Sequence, residues 1–276
     1  MAENESISGI GLRHVRVALR DDDGMILIPA GTAIGTAYNG LRVEGANALS
    51  VTLSDVVRQP VTGDDRVYYT WILPPTETAS GELRVSKGAG PVIALVTGTL
   101  QWGSVNRRKI GFGTNKQGEE PNLILWGCRQ VIEADESLAS FGNKKWETYV
   151  FLNALAAVRP STMEYQTVSE YVYSLVANES TVDELGRAFT VLLNGFTKAQ
   201  FVRVVTDEKF MLDAFVGNNS ETAFVLSQTP YESGVFELTL DGILTHAYTR
   251  VGATITMNAP PGTGVKLMVC YEYESD

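Results

Sequence analysis

Histidine and cysteine are scarce in this chain, at two residues each. His14 and His246 stand apart from any Cys, Asp or Glu at metal-ligand spacing, which excludes the common zinc arrangements. Cys128 and Cys270 are distant in sequence and sit in apolar, strand-like settings. Two buried free thiols are expected rather than a disulfide. No apolar run approaches the roughly 20 residues that span a bilayer, so no membrane insertion is expected. The opening residues, Met1 to Ser6, carry no basic segment, so synthesis and folding in a cytosol are expected. Lys and Arg number 22 against 32 Asp and Glu, a formal net charge of −10. That balance argues against gripping a nucleic-acid backbone, which takes clustered basic residues. It suits a surface that nucleic acid passes without sticking, although many soluble proteins are as acidic.

Catalytic signatures are also missing. There is no Gly-x-Ser-x-Gly elbow. The glycine-rich Gly111-Phe-Gly113-Thr-Asn-Lys116-Gln117 lacks the Gly-Lys-Ser/Thr ending of a phosphate loop. Asp64-Asp65 and Glu119-Glu120 adjoin turns and repel each other in water. Asp21-Asp22-Asp23 gathers three carboxylates, but without the alternating ligands and distal Glu of an EF-hand, so a cation there is a minor alternative. Trp71, Trp102, Trp126 and Trp146 lie in or beside apolar strands and are expected to pack rather than to form a sugar platform. No catalytic, metal or cofactor residue is assigned.

What is present is β-pattern. Trp146 to Val158 is rich in aromatic and β-branched residues, Arg159-Pro160-Ser161 turns, and Thr162 to Val176 alternates. Tyr171, Tyr173 and Leu175 share one face of that second arm; Val172, Ser174 and Val176 share the wetter one. A pair this long needs partners on both edges, and the expectation is that another copy supplies them. Further strands are expected at Gly9–Leu19, Leu41–Gly45, Ala48–Ser54, Val67–Leu73, Gly81–Ser86, Val92–Thr97 and Asn122–Ile132, with a break over Gln59–Asp65. Val92–Thr97 is continuous in apolar residues and reads as a strand buried on both faces. Gly103 to Asn122 reads as a long loop, and Ala134 to Phe141 as a short helical turn.

From Ser180 the spacing predicts a helix: Thr181 and Glu184 at capping-box positions, then a Val182, Leu185, Phe189, Leu192, Leu193, Phe196 stripe ending at Gly195. After Phe210 come short strands with regular turns: Thr222–Ser227, Val235–Leu240, Ala247–Arg250, Thr254–Met257 and Val265–Tyr273. The fold class is therefore mainly β: a larger β domain over residues 1–203 with a flanking helix, and a small Ig-like β-sandwich over 204–276.

With these residues in view, the N-terminal part resembles the major tail tube proteins of long-tailed bacteriophages (siphophages). The likeness runs through Gly9 to Ala18, Ala37 to Leu53, Gly63 to Asp65, Ala79 to Val85 and the Val96-Thr97-Gly98 end of a strand. It covers roughly residues 7 to 200, as texture and order of elements. Phe236 to Gly242, Tyr248 to Gly252, Ala259 to Gly262 and Tyr271 resemble small Ig-like domains of phage virions. The resemblance implies a tail-tube-type β-sandwich or barrel, hexameric rings, and rings stacked into a channel for DNA. It implies a place in the virion tail after assembly in the host cytoplasm, with tape measure, tail tip and tail terminator proteins as partners. Six copies would carry about −60 of charge, a lumen that does not hold DNA. Arg107, Arg108 and Lys109, followed by Glu119 and Glu120, are the candidate inter-ring contacts. The alternatives are another virion component, such as a capsid decoration or baseplate protein, and an adhesive module binding host glycans through Tyr231, Tyr248 or Tyr271.

Overall fold

The structure is a computed structural model describing residues 12–52, 57–63, 66–73, 79–86, 90–97, 101–102, 109–110, 121–131, 145–160, 171–189, 202–206 and 210–273. The first elements are β1 (Arg13–Leu19), β2 (Leu41–Arg42), β3 (Ala46–Thr52), β4 (Val57–Gly63), β5 (Arg66–Leu73), β6 (Ala79–Val85) and helix α1 (Gly90–Thr97). There follow β7 (Gln101–Trp102), β8 (Lys109–Ile110), β9 (Leu123–Val131), β10 (Lys145–Pro160), β11 (Tyr171–Ala177) and β12 (Val202–Thr206). The C-terminal strands are β13 (Phe210–Val216), β14 (Ala223–Val225), β15 (Phe236–Leu240), β16 (Ile243–Leu244), β17 (Tyr248–Val251), β18 (Thr254–Met257) and β19 (Lys266–Glu272). The fold is mainly β, in several antiparallel sheets.

The largest sheet runs β2-β1-β9-β10-β11-β6-β3, with β12 branching onto β10. Its two ends are consecutive in the chain, since β2 ends at Arg42 and β3 starts at Ala46. Four Cα steps reach at most roughly 15 Å, whereas seven strands laid flat would put the ends roughly 29 Å apart. The sheet must therefore curl until its edges meet. Val43 N–H donates to Val15 O at 2.8 Å on one side of the joint, and Ser86 N–H donates to Gly45 O at 2.8 Å on the other. The interior is filled by Val15, Val17, Leu49, Leu83, Leu123, Leu125, Phe151, Tyr173 and Leu175, and α1 adds Val92, Ile93 and Val96.

Alternation along β10 sorts its side chains. Tyr149 and Phe151 point into this interior, while Val150 and Leu152 point out. A bulge between Phe151 and Ala154 then returns Ala154 to the inside. The outward residues are not solvated. Ala18, Ile124, Trp126, Val150 and Leu152 form a second core with Leu212, Ala214, Met268 and Cys270 of the C-terminal sheet β13-β19-β15-β16. The other face of that sheet packs Met211, Phe215, Leu238, Val269 and Tyr271 against Phe224, Ile255 and Met257 of the sheet β14-β18-β17. Three layers are thus stacked, the barrel wall and the two sheets of a small sandwich.

Several expectations change. Much of the long pair is flanked within the chain: β9 and β12 flank the first half of β10, and β6 flanks β11, while beyond Ala154 the second edge of β10 carries no strand among the described residues. The expected faces of the second arm do hold, with Tyr173, Leu175 and Ala177 buried and Val176 exposed. Val92–Thr97 lies in a helix instead of a strand. A short apolar run fits either, and Pro91 suits the first turn of a helix, where no N–H is needed. Gln59–Gly63 continues a strand, β4, which pairs with β5, while Asp64 and Asp65 of the expected break lie outside the described residues. Pro60 is tolerated because β4 pairs with β5 alone among the described residues, leaving its other edge without a ladder there.

The helix expected from Ser180 is absent over residues 181–189, which form a tight hairpin closed by a Val182–Ala188 bridge. Asp183 explains it. Its Oδ1 accepts from Leu185 N–H at 3.0 Å and Arg187 N–H at 2.9 Å, taking the donors a helix would use, and Gly186 turns at φ 80°. The rest of that helix, and the helical turn at 134–141, lie outside the described residues. The small C-terminal sandwich is present, with β18 at its expected bounds. The expected division at residue 203 cuts β12, which belongs to the large sheet as far as Thr206.

Leu212 sits in the shared core with no exposed surface. Leu212→Ala should cost about 2–5 kcal/mol and lower one common unfolding transition. A calorimetric trace in which only part of the heat moves would contradict the shared core.

Candidate functional site

The sequence pointed to five contact residues. Arg107, Arg108, Glu119 and Glu120 lie outside the described residues. Lys109 opens β8 and pairs with Trp102 of β7. Of the four tryptophans, Trp126 is buried in the core between barrel and sandwich, and the side chains of the other three lie outside the described set. Cys128 and Cys270 are buried and not joined in a disulfide, as expected. Asp21 and Asp23 of the acidic turn meet Lys266 of β19, so that cluster is bound to an ammonium from across the seam.

That contact belongs to a seam of directed bonds joining the sandwich to the barrel. The chain after β1 crosses the sandwich and hydrogen-bonds to both its sheets. Tyr38 and Ala214 exchange backbone bonds of 2.9 Å, and Val225 N–H donates to Gly35 O at 3.0 Å. These bonds cover the edges of β13 and β14, which would otherwise be open templates. Gly40 ends the strap at φ 70°, and a Cβ there would stand 2.7 Å from Val17 O.

On the other flank the 181–189 hairpin reaches β15. Arg187 gives its Nε to Asp183 at 2.8 Å and its two terminal nitrogens to Glu237 at 3.0 and 2.9 Å, a two-pronged bond. Burial works to lower the Arg187 pKa, but the bonds to Glu237 and Asp183 outweigh it and hold the pKa above its ordinary value. Thr239 Oγ1 donates to Leu185 O at 2.9 Å beside it.

Inside the sandwich, Asp213 is fully buried. It accepts from Ser227 N–H at 2.8 Å, Ser227 Oγ at 2.7 Å and Tyr271 Oη at 2.7 Å. Burial raises the Asp213 pKa; the Ser227 and Tyr271 bonds and the field of Arg16 pull it back without cancelling the rise. Tyr271 is raised as well, by burial and then by the Asp213 charge. The same bonds remove Tyr271 from any glycan platform, because the ring has no exposed surface. Tyr248 is half-buried against Phe236, with centroids 5.6 Å apart, and only Tyr231 of the three is exposed.

These groups hold structure. Among the described residues no cluster of His, Cys, Asp and Glu could hold a metal ion. The seam escaped sequence reading because its partners are far apart in the chain. One signal was visible: Asp213 is a lone acid inside Phe210-Met-Leu-Asp-Ala-Phe-Val216, a pattern that demands buried donors. No protein-family model, curated protein or solved structure matches this chain.

Two outcomes follow. Arg187→Ala removes the guanidinium partner of Asp183 and Glu237 and should destabilise by about 1–3 kcal/mol, read from urea midpoints; an unchanged midpoint would show the hairpin is not a latch. Asp213 has a folded pKa above its ordinary 3.8. Its contribution to stability is therefore fully present below about pH 4 and declines as pH rises through the folded pKa. The stability gap between the native chain and Asp213→Asn should narrow over that rise. A gap that widens would mean a depressed pKa.

Proposed function

We propose that this chain is a structural, self-assembling subunit, a phage tail tube protein whose hexameric rings stack into a channel for DNA. The observation that carries the reading is an imbalance in strand edges. The barrel closes on itself and the strap meets the β13 and β14 edges of the sandwich, yet β4 and β5, like β7 and β8, form a ribbon with no third strand among the described residues. A lone two-stranded ribbon is marginal in water, and open edges are templates for another chain. Beyond Ala154, β10 has β11 on one edge and no strand on the other among the described residues. Sister copies would supply what both lack.

In this reading no residue performs catalysis, and the chain is used in the virion tail after assembly in the host cytoplasm. Tape measure, tail tip and terminator proteins meet the ends of the tube. The acidic balance keeps the DNA backbone from adhering. Arg107, Arg108, Lys109, Glu119 and Glu120 are the candidate contacts between rings in this reading.

Negative-stain images of concentrated protein should show long hollow tubes; discrete particles would favour a capsid decoration or baseplate role. Replacing Arg107, Arg108 and Lys109 together by Ala should shorten the tubes and leave the thermal unfolding midpoint unchanged. Tubes of unchanged length would remove those residues from the contact.

A further inference from the structure

The strap ends in Asn39-Gly40, one of two Asn-Gly pairs in the chain; the other, Asn194-Gly195, lies outside the described residues. Asn-Gly is the pair most open to attack by a main-chain nitrogen on the preceding side-chain amide, because glycine sets no Cβ beside that nitrogen. Asn39 is half-buried, so water reaches it. The β1–β2 ladder starts at Leu41 on this strand, so no ladder bond ties up Gly40 N–H.

Arg16 of β1 brings a charge to this pair. Its Nη1 donates to Asn39 Oδ1 at 2.7 Å, to Asn39 O at 3.3 Å and to Gly40 O at 3.5 Å. All three acceptors are neutral. Arg16 Nε is buried without a partner, and among the described residues no carboxylate is bonded to this side chain. Burial lowers the Arg16 pKa, and the opposing field of Asp213 does not cancel it. Arg42 stands opposite on β2 and adds positive field rather than relief. A half-buried cation with only neutral partners is costly, and a carboxylate at Asn39 would supply the counter-charge.

We propose that Asn39 is a self-modifying site, whose deamidation places a carboxylate against Arg16 where the strap joins the barrel. Gly40 N gives its proton to solvent base and bonds to Asn39 Cγ. The guanidinium meets the negative charge that grows on Oδ1. The Cγ–Nδ2 bond then breaks, the nitrogen leaves as ammonia, and a five-membered imide is closed. Water opens the ring. Opening at Cγ leaves a side-chain carboxylate; opening at the main-chain carbon of residue 39 leaves the carboxylate there and links the chain through Cγ. The net change is amide and water to carboxylate and ammonium, with no oxidant or reductant. Arg16 Nη1 already reaches both Oδ1 and O of Asn39, so either opening sets the new charge beside it. A neutral bond becomes an ion pair next to Tyr38, whose backbone bonds to Ala214 hold the strap on β13. The site lies within one chain and stands whether or not copies assemble into tubes.

Tryptic peptide 21–42 of the full chain holds Asn39 as its only amide side chain, so its mass reads the reaction directly. Folded protein kept in mildly alkaline buffer should show that peptide gaining the amide-to-acid mass difference, at a rate at least equal to that of the same chain unfolded in urea. A folded rate below the unfolded one would overturn the inference, since Arg16 would then be shielding the amide. Asn39→Asp tests the product. Its urea midpoint at neutral pH should lie above that of the native chain. That gain should be full above about pH 4 and fall away as pH drops through the lowered folded pKa of the new carboxylate. A midpoint at or below the native one, or a gain that persists in acid, would overturn the ion pair with Arg16.

Discussion

The structure depends on a wall that is buried on both faces. β1, β9 and β10 send Val15, Val17, Leu125 and Phe151 into the barrel and Ala18, Ile124, Trp126, Val150 and Leu152 into the sandwich. Each large side chain so covered contributes on the order of 1.5–3 kcal/mol before entropy is subtracted. Removing the sandwich would expose a contiguous apolar face, and removing the barrel would expose Leu212, Ala214 and Met268. The directed bonds at Tyr38, Arg187 and Lys266 add register to that non-directional burial. The chain has two sandwich-like parts in sequence, but they share one of their cores.

Local pattern was legible wherever one face is wet. Tyr171 to Ala177 is a strand with the expected side buried, and Thr254 to Met257 is a strand at its expected bounds. Asp241-Gly242, a dipeptide that favours hairpin turns, joins β15 to β16, and both residues take positive φ there. Pattern failed where apolar residues are continuous. Val92 to Thr97 fits a strand or a helix equally, and only its place against β10 in the barrel interior decides. It failed again at Asp183, where one carboxylate outbids a good helical stripe by capturing two backbone donors.

The contacts that define the candidate site were mostly illegible. Arg187 and Glu237 are fifty residues apart, and Lys266 is 245 residues from Asp21. Neither spacing carries a local signal. The lone Asp213 did carry one, since an acid in an apolar strand must find donors, and it finds Ser227 and Tyr271. The edges tell a related story. Closure of the barrel and the strap over β13 and β14 leave the β4–β5 and β7–β8 ribbons as open pairings among the described residues. Self-association is proposed from those ribbons and from the stretch of β10 beyond Ala154, the chain itself flanking the rest of the long β10–β11 pair.

Hydrogen exchange under native conditions tests the shared wall most directly. Amides of Val150 and Leu152 in β10 and of Met268 and Cys270 in β19 should exchange with one common opening free energy, shifting together as urea is added. If β19 opened at low denaturant while β10 stayed protected, the two parts would be separate folding units and the account would fail.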